Sequence, residues 1–449
     1  MRIQDNTTLL EMSEKLGEVS PIFIFNPQQI YEKNNKYFSN NLVEFLCNSL
    51  QDLDKYYKKK NIKLNLYEGE TISVLNNIHN RNKIKSLGFN RDYSPFSKKR
   101  DKEIENWCKK NNIEFYCLED MLLSDIESEN GLNPSKKKPY VVFTPFMKNL
   151  KKYDIREVNT KNVKGSNISI KTNNLIDIEK LGKYYEENEN RHVIGSRKEG
   201  IKILKNIKSF NSYDKDRSNL SYSTTNLSAY INLGLLSIRE IYYTFREKLG
   251  KDCGLISELY WRDFYYNILY HFPKVIGKSF KDEYNKVQWS KNKTNLEKWK
   301  LGKTGYPVVD AAMTQLNTTG YMHNRGRMIV ASFLTKDLQI DWKEGERYFA
   351  NQLIDYNMSA NNGGWQWAAG TGTDAQPYFR IFNPWTQSQK FDSDCSYIKK
   401  WLPVLKDIPN KHIHQWDKYC KEYDIDYPEP IVDHSEARKL TLEMYKKYL

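Results

Sequence analysis

The strongest constraint on the fold is a change in hydrophobic pattern part-way along the chain. Up to about residue 125, short apolar runs rich in β-branched and aromatic residues alternate with helical stretches such as 99–108. Strands separated by helices are typical of a parallel sheet in an α/β domain. We therefore predict a Rossmann-like N-terminal domain whose buried strands are 19–25, 62–67, 84–89 and 113–117.

After about residue 196 the strand pattern gives way to helical periodicity. Apolar residues recur at i, i+3 and i+4 in the segments 237–249, 255–270, 308–316 and 325–338. The intervening stretch has weak periodicity and many Asn, Lys and Gly residues, which indicates a long and mostly solvated connector. The expected parts are an α/β domain at 1–125, a connector at 126–195 and a large all-α domain at 196–449.

Charge and cysteine usage narrow the classes of function. Lys and Arg total 70 against 56 Asp and Glu, a formal net charge of +14. This balance favours a polyanionic partner such as nucleic acid, although charge alone leaves an ordinary basic protein equally open. No apolar run approaches the roughly 20 residues that span a bilayer. The six cysteines form no C-x-x-C pair, which indicates free thiols in a reducing compartment, and His412 and His414 lack neighbouring ligands for a metal site.

Two segments of the helical half place functional groups close together. Thr224, Thr225 and Ser228 precede a predicted helix, where they can cap it while its first amides hold an anion such as a pyrophosphate. An ordinary N-cap is the better interpretation of that segment taken alone. Further on, Glu258-x-x-Trp261-Arg262 puts a carboxyl, a flat ring and a guanidinium on one helical face. This arrangement suits a flipped base and suits an amphipathic helix equally well.

Two further segments, 302–328 and 353–384, are unusually dense in Asn, Gly and Trp. Amides are costly in a helical core unless they are hydrogen-bonded, and a planar cofactor with polar edges would satisfy them. Together the four segments resemble the class I photolyases of the photolyase/cryptochrome family, and the match extends to the tail at 427–438. The resemblance implies an α/β domain followed by a helical domain that binds FAD. It also implies light-driven repair of cyclobutane pyrimidine dimers in DNA by electron transfer from reduced FAD.

The resemblance implies roles for individual residues, including an Arg327–Asp355 ion pair beneath the flavin ring and Asn361 facing flavin N5. The residues implied to hold FAD are Tyr213, Thr224, Thr225, Leu227, Ser228, Arg327, Asp355, Asn357 and Asn361. Those implied to contact the lesion, with Glu258 hydrogen-bonding the dimer and Trp261 stacking on it, are Glu258, Trp261, Asn324, Met328 and Trp367. The electron-transfer residues would be Trp365, Trp342 and Trp289, and the DNA-phosphate ligands Arg217, Arg262 and Arg325.

Two departures from the family pattern have consequences. The family's opening strand and F-R-x-D-L-R-x-x-D-N motif are represented only by the motif's end, in residues 1–6, so the sheet is expected to lack its first strand. An antenna chromophore, either a folate or a deazaflavin, then loses part of its expected site. Asn357 also stands where the family has Asp, which predicts altered flavin redox behaviour rather than lost binding.

The branch within the family follows from what surrounds Asn324. A single His323 precedes it, whereas six-four photolyases have a His pair there, and Asn361 differs from the Asp usual in plant-type cryptochromes. A dimer-repairing photolyase, acting as a monomer on DNA in the cytoplasm or in a eukaryotic nucleus, is therefore expected. The alternatives are a blue-light cryptochrome without repair activity and a flavin-free, basic nucleic-acid-binding remnant.

Overall fold

The computed structural model describes residues 1–448, and the chain divides into two compact units. Unit 1 consists of Met1–Glu187, Val193–Ser209 and Leu227–His271. Unit 2 consists of Asn188–His192, Phe210–Asn226 and the chain from Phe272 onward. The expected architecture, a small parallel-sheet N-terminal part and a mostly helical remainder, is confirmed. The boundaries predicted at residues 125 and 195 stay a prediction.

All four predicted strands are present, and a short fifth strand occurs within the segment predicted to be a connector. The strands are β1 (Ile22–Phe25), β2 (Asn65–Glu68), β3 (Ser86–Asn90), β4 (Glu114–Leu118) and β5 (Leu175–Ile176). The helices up to residue 271 are α1 (Thr7–Leu16), α2 (Pro27–Ile30), α3 (Asn40–Lys59), α4 (Thr71–Asn82), α5 (Pro95–Lys110), α6 (Phe143–Leu150), α7 (Arg197–Lys205), α8 (Tyr213–Asp216), α9 (Ser228–Asn232), α10 (Ile238–Leu249) and α11 (Gly254–His271).

From residue 272 to residue 448 the structure contains helices and no strand. They are α12 (Lys293–Lys300), α13 (Pro307–Thr319), α14 (Asn324–Ser332), α15 (Trp342–Gln352), α16 (Met358–Ala369), α17 (Pro384–Phe391), α18 (Ser396–Trp401), α19 (Asn410–Ile413), α20 (Trp416–Tyr419) and α21 (His434–Lys446). The helix predicted over 325–338 is interrupted, because α14 ends at Ser332 and a π-helical turn, Phe333–Asp337, follows.

The strands of unit 1 form two separate sheets. In the first, β1 pairs with β2 in parallel, with Ile22 opposite Asn65, and β5 lies antiparallel on the other side of β2. In the second, β3 pairs with β4 in parallel, with Ser86 opposite Glu114. Within residues 1–448 no strand joins β1 to β3. The predicted absence of the sheet's first strand is therefore confirmed.

A buried ionic network fixes the first residues of unit 1. Arg2 pairs with Asp120 at 2.7 Å, and Arg239 pairs with both Asp120 and Asp5 at 2.8 Å. Burial alone would raise the pKa of Asp120, but the two arginines lower it well below its usual range.

The segment predicted to be a connector, residues 126–195, is less solvated than expected, because Phe146 and Leu181 are fully buried in unit 1.

The core of unit 2 is built around α13, one of its most deeply buried helices. Side chains of α13 and α14 pack with Trp299, Trp342 and Trp365, all of them almost inaccessible to solvent. Tightly packed aromatic rings of this size contribute a large part of a domain's hydrophobic stabilisation. This core leaves the first turn of α14 and part of α16 at the surface, where Asn324, Met328, Asn361 and Trp367 lie.

Candidate functional site

The predicted lesion residues of unit 1 lie on α11. Glu258 and Trp261 are half-buried, one helical turn apart. The Trp261 ring lies parallel to Phe143 of α6, with centroids 3.7 Å apart and an interplanar angle of 9°. One face of the indole is therefore already covered, and any further stacking uses its other face. Sequence reasoning missed Phe143, since no motif around it marks a function.

The contacts of Arg262 differ from those expected of a DNA-phosphate ligand. Its side chain is only 13% exposed and donates to the main-chain oxygen of Met121 at 2.7 Å. The guanidinium also lies over the ring of Tyr266, 4.9 Å from the centroid. These contacts direct Arg262 into unit 1, so its placement gives the phosphate role no support.

In unit 2, the predicted lesion residues Asn324 and Met328 lie at the start of α14. Asn324 is exposed, and its Nδ2 lies 3.7 Å from Sδ of Met328, one turn further along. The preceding residue, His323, is the N-cap, and its Nδ1 accepts from the main-chain nitrogen of Arg325. Burial, followed by the nearby Arg327 and Arg325, lowers the pKa of His323 to about 4. His323 is therefore neutral at physiological pH. Trp367, on α16, is half-buried.

The predicted Arg327–Asp355 ion pair is present. Nη2 of Arg327 lies 2.9 and 3.1 Å from the two carboxylate oxygens, and its Nε donates to the main-chain oxygen of Met322. The guanidinium also lies over Tyr321, whose ring stacks on His192 at 4.0 Å. Asp355 is almost fully buried, so the pair is a fixed charged element of unit 2. Sequence reasoning assigned no role to either residue, although Tyr321 lies within the segment 302–328; His192 lies outside the four segments.

The density of amides in the segment 353–384 suggested that a cofactor would satisfy their hydrogen bonds. Some of the amides of α16 are instead hydrogen-bonded within the protein. Asn362 and Gln366 both donate to the main-chain oxygen of Val275, and Asn362 also donates to Glu346. The expectation fails for these two because an adjacent loop supplies carbonyl acceptors. Asn361 donates to the main-chain oxygen of Glu346 at 2.9 Å, while its Oδ1 makes no hydrogen bond within residues 1–448.

Asn357 has a local role that the family comparison did not reveal. It is the N-cap of α16, and its Oδ1 accepts from the main-chain nitrogen of Ala360 at 3.1 Å and from the Ser359 hydroxyl at 2.7 Å. Asp is an equally good N-cap, so this geometry accommodates either residue. The effect of Asn357 on a flavin stays a prediction.

The hydroxyl-rich segment at 224–228 does not cap its helix as expected. The five-residue helix α9 has Leu227 as its N-cap, without a side-chain cap bond, and Leu227 itself is buried. A leucine has no acceptor with which to satisfy the first amides, so the capping prediction is wrong. Thr224 instead has its hydroxyl 3.4 Å from that of Tyr321, while Thr225 is half-buried and Ser228 exposed.

Two arginines of unit 2 form a positively charged surface. Arg217 is exposed, with its guanidinium 5.8 Å from the ring centroid of Tyr213. Arg325 donates to the Ser218 hydroxyl at 2.9 Å and lies over Phe391, at 4.2 Å. Burial, and then the proximity of Arg217, lowers the pKa of Arg325, so the two cations are close enough to repel each other. Such a pair favours an anion.

The three predicted electron-transfer tryptophans differ in exposure. Trp342 and Trp365 are buried, whereas Trp289 is half-exposed. The ring of Trp365 contacts Trp299, with centroids 6.0 Å apart, and Trp289 contacts Tyr445 at 6.0 Å. Gly345 of α15 makes room for Trp365, because a Cβ there would lie 2.1 Å from the indole. Among residues 1–448 the three indoles are not in direct ring contact.

Comparison with known proteins decides the family. A family model described as DNA photolyase matches residues 1–163, and one described as the FAD binding domain of DNA photolyase matches residues 255–447. The chain is 36% identical to the deoxyribodipyrimidine photo-lyase of Escherichia coli over 99% of its own length and 96% of that protein. It is 34% identical to the enzyme of the same name from Buchnera aphidicola of Acyrthosiphon pisum, over 100% and 95% of the two chains. The chain belongs to the DNA photolyase family.

Solved structures agree with this result. An archaeal photolyase from Sulfolobus tokodaii, solved with two FAD molecules, superposes with a TM-score of 0.88 at 37% identity, covering 99% of this chain and 97% of that one. A cryptochrome from Synechocystis also superposes with a TM-score of 0.88, at 26% identity, over 99% and 96% of the two chains. Repair enzymes and cryptochromes thus share this fold, and FAD is the cofactor of the matched helical domain.

The side chains of unit 2 fit such a cofactor. Nε2 of His192 is a buried polar atom without a hydrogen-bond partner within residues 1–448. A buried polar atom left unpaired is costly, so it points to a polar ligand. Arg327 and Asp355 supply both signs of charge near it. No helix among residues 1–448 is both long and apolar enough to cross a bilayer, and no cluster of metal-ligating side chains occurs there.

Proposed function

We propose that this protein is a light-driven lyase that splits cyclobutane pyrimidine dimers in DNA. The observation that carries the proposal is the match, over almost the whole chain, to relatives named deoxyribodipyrimidine photo-lyase. Bound and reduced FAD supplies the light-excited electron that opens the dimer ring. The chain's own residues position the flavin and the lesion and exclude water from them.

FAD is proposed to lie against the Arg327–Asp355 pair and Asn361. The buried carboxylate holds the guanidinium in one orientation, so a fixed positive charge faces the ligand. Asn361 is held by its own donation to Glu346, which leaves its amide oxygen available to a flavin. The remaining proposed ligands, on the phosphate and ribose side or near the ring, are Tyr213, Thr224, Thr225, Leu227, Ser228 and Asn357.

The lesion is proposed to be read by a carboxyl and by aromatic surface. Glu258 supplies a hydrogen-bonding group, and Trp261 supplies an indole face whose opposite side is supported by Phe143. A ring supported in this way stacks on a base with little loss of side-chain entropy. Asn324, Met328 and Trp367 are the proposed lesion contacts of unit 2. Extruding a base costs a few kcal/mol, least for a damaged pair, which supplies part of the selectivity.

DNA phosphates are proposed to bind Arg217 and Arg325. Their mutual repulsion is relieved by an anion. Electrons are proposed to pass between the flavin and the surface through Trp365, Trp342 and Trp289. Their order from buried to half-exposed supports this proposal.

We further propose a monomer in a reducing compartment, the cytoplasm or a eukaryotic nucleus, since all six cysteines are free thiols.

A repair assay tests the proposal. Dimer-containing DNA is incubated with the FAD-loaded, reduced protein in blue light and in darkness, and intact pyrimidines are counted. Repair is expected only in light. Glu258→Ala is expected to lower the repair yield with FAD still bound, whereas Glu247→Ala, an exposed change on α10, leaves the yield unaltered. Flavin retention without any repair would favour a cryptochrome, and repair in darkness would overturn the proposal.

A further inference from the structure

Five residues of the segment predicted to be a connector, Asn188–His192, belong to unit 2. Two hydrogen bonds hold them at the end of α13. The main-chain nitrogen of His192 donates to the oxygen of Thr319 at 3.0 Å, and Nδ2 of Asn188 donates to the oxygen of Thr318 at 3.2 Å. These bonds fix the backbone from which the His192 side chain projects.

The imidazole of His192 is held in one orientation by stacking. It lies parallel to the ring of Tyr321, with centroids 4.0 Å apart and an interplanar angle of 3°. Tyr321 is held in its turn, because its hydroxyl lies 3.4 Å from that of Thr224 and the Arg327 guanidinium lies over its ring. A stacked pair of rings has little rotational freedom, so the two ring nitrogens of His192 keep fixed positions.

One of these nitrogens lacks a hydrogen-bond partner. Nε2 of His192 is buried, and no partner is found for it within residues 1–448. Burial lowers the pKa of His192, so the imidazole is neutral at physiological pH. In a neutral imidazole Nε2 is either a donor or an acceptor, and in both forms a buried Nε2 without a partner is unfavourable. The position of Nε2 therefore suits a ligand with a polar group.

An unpaired ring nitrogen does not by itself mark a site. Nδ1 of His79, on α4 of unit 1, is also buried and unpaired within residues 1–448, and its ring meets Trp107 edge-on. His192 differs because it lies close enough to Asp355 and Arg327 for both charges to act on its pKa, in opposite directions. These two residues form the ion pair against which FAD is proposed to lie. His192 thus borders the proposed FAD site.

We propose that His192 binds FAD through a hydrogen bond at Nε2, on the side of the cofactor that meets Arg327 and Asp355. The role rests on the proposed function, in which FAD occupies unit 2. No bond is broken and no electron moves at His192, which holds and orients the ligand. The imidazole is oriented before FAD arrives, so little side-chain entropy is lost on binding. A single neutral hydrogen bond of this kind corresponds to about a fivefold gain in affinity.

Two substitutions separate the nitrogen of His192 from its ring. His192→Phe keeps a ring stacked on Tyr321 and removes both nitrogens, whereas His192→Gln removes the ring and keeps an amide that can reach the position of Nε2. FAD is titrated into the FAD-free whole protein, and its binding is followed by the quenching of flavin fluorescence. His192→Phe is expected to weaken FAD binding about fivefold, and His192→Gln by less. His79→Phe, the matched control, is expected to leave the affinity unchanged.

A spectroscopic measurement tests the contact in the unaltered protein, even if a variant fails to fold. In protein labelled with ¹⁵N-histidine, FAD is expected to shift the Nε2 resonance of His192, which is assigned by its absence from the spectrum of His192→Gln. An unshifted resonance would overturn the proposal. So would a His192→Phe variant with unaltered FAD affinity, or one that binds FAD more tightly than His192→Gln, because the ring and not Nε2 would then be the contact. Light-driven repair by the unaltered protein, measured alongside, tests the proposed function separately.

Discussion

Replacing Asp355 by Asn tests whether the Arg327–Asp355 pair is the charged support of the flavin site. The Asp355 side chain is 4% exposed and that of Arg327 is 26% exposed. Removing one partner of a buried pair costs about 3–5 kcal/mol, because the other charge is left unpaired. Arg327 retains its bond to the oxygen of Met322 and some contact with water, and Asn still accepts one hydrogen bond. We therefore expect a loss of about 2 kcal/mol in the free energy of unfolding.

Urea unfolding followed by circular dichroism measures that loss, and flavin absorbance reports how much FAD each sample retains. The midpoint is expected to fall without a change in slope. Asp341→Asn is the matched control, because it keeps an N-cap and removes one charge from the more exposed pair with Lys343. That pair is expected to contribute less than about 1 kcal/mol. Equal losses in the two variants, with flavin content unchanged in both, would refute the assignment of a special role to Asp355.

Three further predictions address DNA binding, pH dependence and redox behaviour. Arg217→Ala and Arg325→Ala should each reduce the salt slope of DNA binding by about 0.9, measured by anisotropy; an unchanged slope would remove that residue from the interface. Burial raises the pKa of Asp263 to about 7, above its value in the unfolded chain. The native state therefore loses stability as pH rises from about 4 to 7, and urea midpoints of Asp263→Asn should show a flatter profile than those of the unaltered protein. Asn357→Asp adds a negative charge proposed to lie near the flavin and should lower its potential in a redox titration; an unaltered potential would contradict this.

How far the sequence predicts the structure depends on the range of the interactions involved. The four strands were predicted because apolar runs bounded by polar residues are a local signal. The two-residue strand β5 was missed because its pairing with β2, about 110 residues earlier in the chain, determines its conformation. The break after Ser332 was missed for a similar reason, since the apolar periodicity continues through the π-helical turn.

How well the site residues were predicted also depends on the range of the interactions that place them. The Arg327–Asp355 pair was predicted through the family resemblance and is present in the structure. Arg262 and Arg325 look equivalent in sequence, yet the Arg262 guanidinium is directed at a main-chain oxygen and the Arg325 guanidinium lies beside a second arginine. Which way a long side chain turns depends on neighbours distant in sequence, so spacing alone could not separate them. Phe143 was not predicted as a site residue, because its role comes entirely from its contact with Trp261.

The two sheets of unit 1 are held together by side-chain contacts and not by a continuous ladder of backbone hydrogen bonds. Backbone bonds connect β1 to β2 and β3 to β4, but none crosses between the two sheets in the described chain. Side-chain packing links the two sheets, because the α4–α5 cluster contacts both β1 and β3. The buried network of Arg2, Asp120 and Arg239 also fixes the segment that leads into α1. Because ladder bonds fix register whereas side-chain packing is nondirectional, the placement of the two sheets in this unit depends on how their side chains fit the α4–α5 cluster.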